Sequence, residues 1–477
     1  MTYDVNKIRS HFPSLNTGLA FFDGPGGSQV PDVVGAAIAD AITKPISNRN
    51  TNTESEKNAE EIVLGFRKAV ADLIDVDPNG VVYGRSWTQI TYDFSRTLAK
   101  TWKAGDEVVV SRLDHDSNVR PWIQAAEAVG ATVRWAEFDV ATSELTVAAV
   151  EAVLSSKTKL VAITGAGNTI GTRPDLKAIG AAVHKVGALF YVDGVHLTPH
   201  AVISAKEIGA DFFGFSFYKL MGPHCAALAA SPELLKSLNN DKLLPSTTNV
   251  PEKFEFGTLP YEIMAGATAA IDFIADMAPG SGRTRREKII NSMNALEAYE
   301  DDLLVYMESA IKSLPGVTMY GHAKHRTPTL YFSFANLPSG EIYQAMVAKK
   351  VNVLNDFFKL KQSNDDLPDK TCISKKSIIN YWKNVNNEIV NPNDFVMPVD
   401  ICCFCSRGEM IPQDDDGVLI CNNRECGKFV TYIVDSSKPS NKEAPNEVSY
   451  TAYIRLNHFK EILSQFQAKE TTQIPED

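Results

Sequence analysis

The stretches F-Y-V-D-G-V-H-L (residues 190–197) and D-F-F-G-F-S-F-Y-K-L-M-G-P-H (residues 211–224) decide how this chain reads. Each opens with an apolar run of the length of a buried strand. The first run ends on Asp193, and the second leads into Lys219. A lysine just past a buried strand can lose its proton and form a Schiff base with an aldehyde cofactor. A carboxylate at the end of a second strand can keep a pyridine nitrogen protonated. Opposite charges ~4 Å apart, at an effective dielectric of about 20, attract by roughly 4 kcal/mol. That is on the order of three pK units, enough to hold the ring cationic at neutral pH and make it an electron sink. Taken singly, Lys219 reads as a surface loop lysine and Asp193 as a helix N-cap. The pair in its context carries the cofactor reading.

Outward from this pair, apolar runs alternate with helical periods: V-V-Y-G, E-V-V-V-S, A-T-V-R-W-A and K-L-V-A-I-T precede the two quoted stretches. Short Val- and Ile-rich runs separated by helical segments predict βαβ units and a parallel-rich sheet. Site residues then belong at the strands' carboxyl ends. Asp193, Lys219, Asn168 and His115 all follow such runs. Gly84-Arg85-Ser86-Trp87-Thr88-Gln89 follows V-V-Y and opens a helix, so its backbone N–H groups and Thr88 are a candidate phosphate cradle. Any strand-to-helix turn looks similar. His115 reads either as a surface residue capping the next helix or as an imidazole stacked on a cofactor ring. His196 reads either as a satisfied structural histidine or as a hydrogen-bonding group near that ring.

The chain has 477 residues and a formal net charge of −11, which gives no global attraction to nucleic acid. It shows no run of 18 apolar residues and no signal-peptide core at its start, so no membrane span is expected. One cysteine, Cys225, precedes residue 371, which fits a reducing, cytoplasmic setting. Composition changes near Phe358: residues 1–358 hold 45 Ala, whereas the remaining 119 hold 3 Ala and 12 Asn. A step this large predicts two segments of different origin.

The order of F-F-D-G-P-G-G-S-Q-V-P, E-V-V-V-S-R-L-D-H-D-S-N-V-R-P-W, Y-V-D-G-V-H-L-T-P-H, S-F-Y-K-L-M-G-P-H and R-T-P-T-L-Y-F-S-F resembles the class V aminotransferase family of pyridoxal-phosphate enzymes, especially its cysteine-desulfurase-like branch. The resemblance runs from about residue 5 to Phe358. It implies an α/β, fold-type I large domain around a seven-stranded sheet, a small amino-acid substrate and a homodimer with shared sites. By position, it implies Lys219 as Schiff-base lysine and general acid/base, and Asp193 as partner of the pyridine nitrogen. His115 would stack on the ring, and His196 would assist near its phenolic oxygen. Thr88, Ser216 and the backbone at Gln89 would hold the phosphate, with Asn168 beside the ring or substrate. Gly257 and Thr258, in F-E-F-G-T-L-P, would reach the neighbouring subunit's phosphate. The implied domains are an N-terminal segment (1–20) packing with the small domain, a large domain (21–285) and a partial α+β small domain (286–358). Two departures stand out. Trp87 occupies a position where the family has a small residue. The strand carrying the family's substrate-binding Arg is not found after V-N-V-L-N-D-F-F, which predicts an uncovered sheet edge and apolar face.

Beyond a linker (359–400), Cys402 and Cys405 form C-x2-C, and Cys421 and Cys426 form C-x4-C, with 15 residues between. Four thiolates on two turns suit tetrahedral Zn2+, and predict a zinc ribbon over 401–435. Unrelated thiols are the plainer reading. The run V-S-Y-T-A-Y-I-R-L-N-H-F-K-E-I-L-S-Q-F predicts a helix over 446–470. Knuckles and helix together resemble the poxvirus-type late transcription factor family of large DNA viruses, which implies contacts with transcription machinery or nucleic acid. Three readings follow: a pyridoxal-phosphate enzyme with a zinc-ribbon appendage, a transcription-associated protein with an enzyme-like scaffold, or an artificial join.

Overall fold

The computed structural model describes residues 4–278, 280 and 282–354, and in the tail residues 405, 410–413, 418–421, 423, 426 and 429–431. The chain divides into two compact units, Met1–Asn355 and Asp356–Asp477. Seven strands organise the first: β1 (Val81–Gly84), β2 (Glu107–Ser111), β3 (Thr132–Ala136), β4 (Thr158–Thr164), β5 (Leu189–Asp193), β6 (Phe212–Ser216) and β7 (Ala226–Ala230). Their order in the sheet is β1-β7-β6-β5-β4-β2-β3. The pairs among β2 to β6 are parallel, and β7 runs antiparallel to both β6 and β1. The sheet is therefore mixed. Six of its strands are the runs read from the sequence. The seventh, A-A-L-A-A, is too alanine-rich to signal a strand by propensity.

Successive strand residues feed two cores, as a period of two requires. Val109, Phe190, Val192 and Phe213 join one cluster with Phe66, Val70, Met264 and Ile271. Val108, Val110, Tyr191 and Phe212 join the other with Ile90, Phe94, Leu98 and Trp122. The helices α1 (Glu54–Ile74) and α4 (Tyr261–Ala275) thus cover one face, and α2 (Trp87–Ala99) and α3 (Arg120–Val129) the other. Because both faces are covered, β1, β2, β6 and β7 are buried at every residue. The edge strand β3 alternates between half-buried and exposed before its buried end. α1 starts in a capping box: Thr53 accepts from the Glu56 N–H, and the Glu56 carboxylate accepts from the Thr53 N–H.

After α4 comes a 28-residue helix, Arg285–Lys312, again opened by a capping box, at Thr284 and Glu287. Val317–Tyr320 and Tyr331–Phe334 then pair antiparallel as a two-stranded sheet. Ala20–Phe21 runs parallel to Val351–Asn352, which ties the N-terminal segment to the end of this unit. Val305, Tyr306, Tyr320 and Tyr331 are exposed. In the second unit, Met410–Gln413, Val418–Cys421 and Phe429–Thr431 form a three-stranded antiparallel sheet in chain order. Cys402, the linker over 359–400 and the helix expected over 446–470 lie outside the described residues. Among the described residues no helix is long and apolar enough to cross a membrane.

Candidate active site

Because β1, β2, β4, β5 and β6 point the same way, the turns that follow them meet at one edge of the sheet. There Thr88, His115, Asn168, Asp193, His196, Ser216 and Lys219 line one cleft, about 620 Å³ of space including its open mouth. The sequence reading supplies all seven. Ser86, Trp87, Ser117 and Tyr218 share the lining but were not assigned roles from the sequence.

Lys219 closes a one-turn 3-10 helix, Phe217–Lys219, directly after β6. The G-P-G-G-S loop braces this turn: Ser28 donates its N–H and its hydroxyl to the Tyr218 carbonyl, at 2.8 and 3.1 Å. The Ser28 hydroxyl also accepts the Met221 N–H at 2.7 Å. Gly27 takes φ 146° here, a backbone conformation that L side chains rarely adopt, with a Cβ position 3.2 Å from the Tyr218 ring. Burial lowers the proton affinity of the Lys219 amine, and the charge of Asp193 opposes that shift. A fraction of free amine at neutral pH follows in direction.

Asp193 ends β5 and is almost wholly buried. Its Oδ1 accepts the Val195 N–H at 2.9 Å, and its Oδ2 accepts the Trp87 indole N–H at 2.8 Å. Burial raises its proton affinity; the Val195 N–H, His115, the Trp87 N–H and Lys219 work against it. His115 Nδ1 accepts the Ser117 N–H at 3.1 Å and lies 2.8 Å from the Ser117 hydroxyl. Burial pushes His115 below the usual histidine range, with Asp193 opposing. Beside it, Asp114 is hydrogen-bonded by Ser111 and by Asn118 Nδ2, and burial pushes its carboxyl up to about 8.

His196 Nε2 sits 2.8 Å from Thr329 Oγ1 and 3.2 Å from Thr327 Oγ1. The R-T-P-T segment therefore reaches the cleft through this ring. Burial takes His196 well below the usual histidine range, with the charges of His200 and Lys219 adding to the effect.

Three expected residues lie elsewhere. The Gln89 N–H, expected to be free for a phosphate, is taken by the N-capping Ser86 hydroxyl at 3.2 Å. Gln89 and Thr258 border a separate depression beside Glu255, and Gly257 and Thr258 are exposed. Gly257 has φ 76°, which marks a turn that needs glycine.

In the second unit, the ligand atoms of Cys405, Cys421 and Cys426 lie within 4.8 Å of one another. The Cys405 and Cys421 sulfurs are 3.7 Å apart, and Asn423 Nδ2 lies 3.7 Å from the Cys405 sulfur. A trio of thiols at this spacing is a candidate soft-metal centre.

Residues 20–354 match the sequence profile described as Aminotransferase class-V. An uncharacterized protein of Mycobacterium tuberculosis is 31% identical over 347 residues, 72% of this chain and 87% of that protein. An aminotransferase-like protein of Gibberella zeae is 30% identical over 358 residues, covering 73% of this chain and 86% of its own. A probable cysteine desulfurase of Halalkalibacterium halodurans is 28% identical, with 67% and 80% covered. Among solved structures, a cysteine desulfurase of Escherichia coli superposes with a TM-score of 0.65 at 21% identity, covering 74% of this chain and 88% of that one. That likeness is one of fold.

Proposed function

Because the chain belongs to the aminotransferase class-V family, we propose that it is a cysteine-desulfurase-like, pyridoxal-phosphate-dependent enzyme acting on a small amino acid through Lys219. The observation that carries this reading is the convergence of Lys219 and Asp193 on one cleft, from the ends of β6 and β5. The donor set fits the cofactor: a half-buried amine of lowered basicity for its aldehyde, a buried carboxylate for its ring nitrogen, and hydroxyls at a helix N-terminus for its phosphate.

When bound, pyridoxal phosphate supplies the electron sink for a carbanion at the substrate's α-carbon. In this reading Lys219 Nζ would hold the aldehyde and would serve as the base that takes and returns the substrate's α-proton. Asp193 holds the proton at the ring nitrogen. His115 would stack on the ring. His196, with Nε2 held by Thr329, keeps Nδ1 for the phenolic oxygen. Thr88 and Ser216 bind the phosphate, and Asn168 lies beside the ring or substrate. Gly257 and Thr258, exposed on this chain, serve the phosphate of a second copy in a homodimer. Several relatives are named cysteine desulfurases, so cysteine is the first substrate to assay. A reducing, cytoplasmic setting goes with this assignment.

The test is a visible absorbance spectrum of the purified protein with pyridoxal phosphate, before and after borohydride. A band that reduction fixes onto the Lys219 peptide is the expected result, and Lys219→Ala should lose it. No band in the wild-type protein would sink the assignment.

For the tail, the thiol trio supports zinc held by Cys405, Cys421 and Cys426, with Cys402 as fourth ligand. Zinc–sulfur bonds of ~2.3 Å in a tetrahedron put sulfurs roughly 3.8 Å apart. The 3.7 Å between Cys405 and Cys421 agrees with that spacing.

A further inference from the structure

We propose that Trp87 is a positioning residue for Asp193: its indole N–H fixes the carboxylate in the orientation that serves the cleft. This rests on the cofactor reading above, and it concerns a side chain that reading leaves without a role.

Three observations carry it. First, the two residues are 106 positions apart in sequence, yet the indole Nε1 lies 2.8 Å from Asp193 Oδ2, in a bond that is wholly buried. Second, each Asp193 oxygen receives one N–H, from Val195 on one side and Trp87 on the other. A carboxylate oxygen has two lone pairs, so one acceptor position on each oxygen stays open for a donor in the cleft. A carboxylate held at both oxygens cannot rotate about its Cβ–Cγ bond without breaking a bond to a buried donor. Third, the indole is itself seated. It packs over the Cα of Gly214, where a Cβ would come within 2.0 Å of Cζ3, and its ring centre is 5.3 Å from that of Tyr191. β6 thus presents glycine at the one position where the ring crosses it. Trp87 is also the first residue of α2, so one residue links the start of the candidate phosphate-binding helix to the carboxylate.

A donor at Oδ2 also favours the charged form of the carboxylate. The other groups that act on Asp193 are His115 and Asp114 from the turn after β2, Lys219 and Tyr218 from the turn after β6, and Tyr191 on its own strand. A ring isostere that lacks the N–H keeps the burial of Asp193 and the packing on Tyr191, so a change in Asp193 titration in that variant reports the lost N–H.

The experiment compares the wild-type full-length chain with Trp87→Phe and with a chain carrying 3-benzothienylalanine at position 87, an isostere in which sulfur replaces the N–H. In the protein without cofactor, the Asp193 carboxyl carbon is titrated by 13C NMR and assigned by its loss in Asp193→Asn. Both variants should bind the Asp193 proton about tenfold more tightly, a rise of roughly one pH unit. Affinity for pyridoxal phosphate, read from the visible band, should fall at least about tenfold in both. If the isostere titrates like wild type and binds the cofactor equally well, Trp87 is packing alone and the proposal is wrong. A wild-type chain that takes up no cofactor would sink the functional assignment instead, and the titration would still decide the role of Trp87.

Discussion

His196 carries its neutrality as a consequence of burial, and that has a sign that can be checked. Its folded-state proton affinity is lowered well below that of an exposed histidine, near 6.5. As pH falls through about 6.5, the unfolded chain takes up a proton that the folded chain refuses, so stability is lost toward acid. His115 acts in the same direction. Asp114, pushed up to about 8 by burial, acts in the opposite one: its folded state keeps a proton that the unfolded state releases above about pH 4. The total profile therefore mixes signs, and a difference isolates the histidine. His196→Gln, compared with wild type in urea unfolding, should see its deficit shrink as pH falls from 6.5 to 5, by at most about 2 kcal/mol, the linkage limit for one proton. A constant difference would mean that His196 accepts a proton in the folded protein. At this scale the meeting of Lys219, Asp193 and His115 in one cleft was legible in the sequence because each follows a strand-like run. The hold of Thr329 on His196 was not, since it joins residues 133 positions apart. The bond from the Gln89 N–H to the Ser86 hydroxyl was not legible either, because Ser86 reads as part of the turn and not as the cap that takes that donor.

At the scale of the element, β6 and α2 meet at Gly214 and Trp87, with no room for a methyl group between them. Gly214→Ala must push the indole aside or bend the strand. Overpacking of this kind costs about 1–3 kcal/mol. A lowered urea midpoint is expected, together with weaker uptake of pyridoxal phosphate, because the indole leaves Asp193 as it moves. An alanine variant with wild-type stability would show that the ring is not seated on the strand. The glycine was visible in D-F-F-G-F-S, but its reason was not. A sequence shows that a residue lacks a side chain, not which distant ring fills the space. The parallel strands were readable because burial on both faces leaves unbroken apolar runs. β7 escaped because alanine favours helix over strand, and its antiparallel course is a property of the sheet and not of its own residues.

At the scale of the whole molecule, the step in composition near Phe358 and the division between Asn355 and Asp356 fall within three residues of each other. The two units raise different questions of stability. The first has two continuous cores on either side of its sheet. In the second, the three short strands among the described residues carry thiols at a strand end and in the flanking turns, and a sheet of that size gains too little from burial alone. Metal binding at a four-thiolate centre contributes on the order of 10–16 kcal/mol at neutral pH, which is folding free energy where no site exists without the metal. The tail should therefore bind one zinc ion per chain. Chelation should expose the thiols of Cys402, Cys405, Cys421 and Cys426 to a disulfide reagent, while Cys225, buried beneath the Lys219 turn, stays protected. The same treatment should speed proteolysis within residues 401–435. Cofactor fixed beforehand onto Lys219 by borohydride serves as the internal standard for an intact first unit. Thiol reactivity and cleavage rates that are identical with and without chelator would leave the trio as three neighbouring cysteines and remove zinc from the account of this chain.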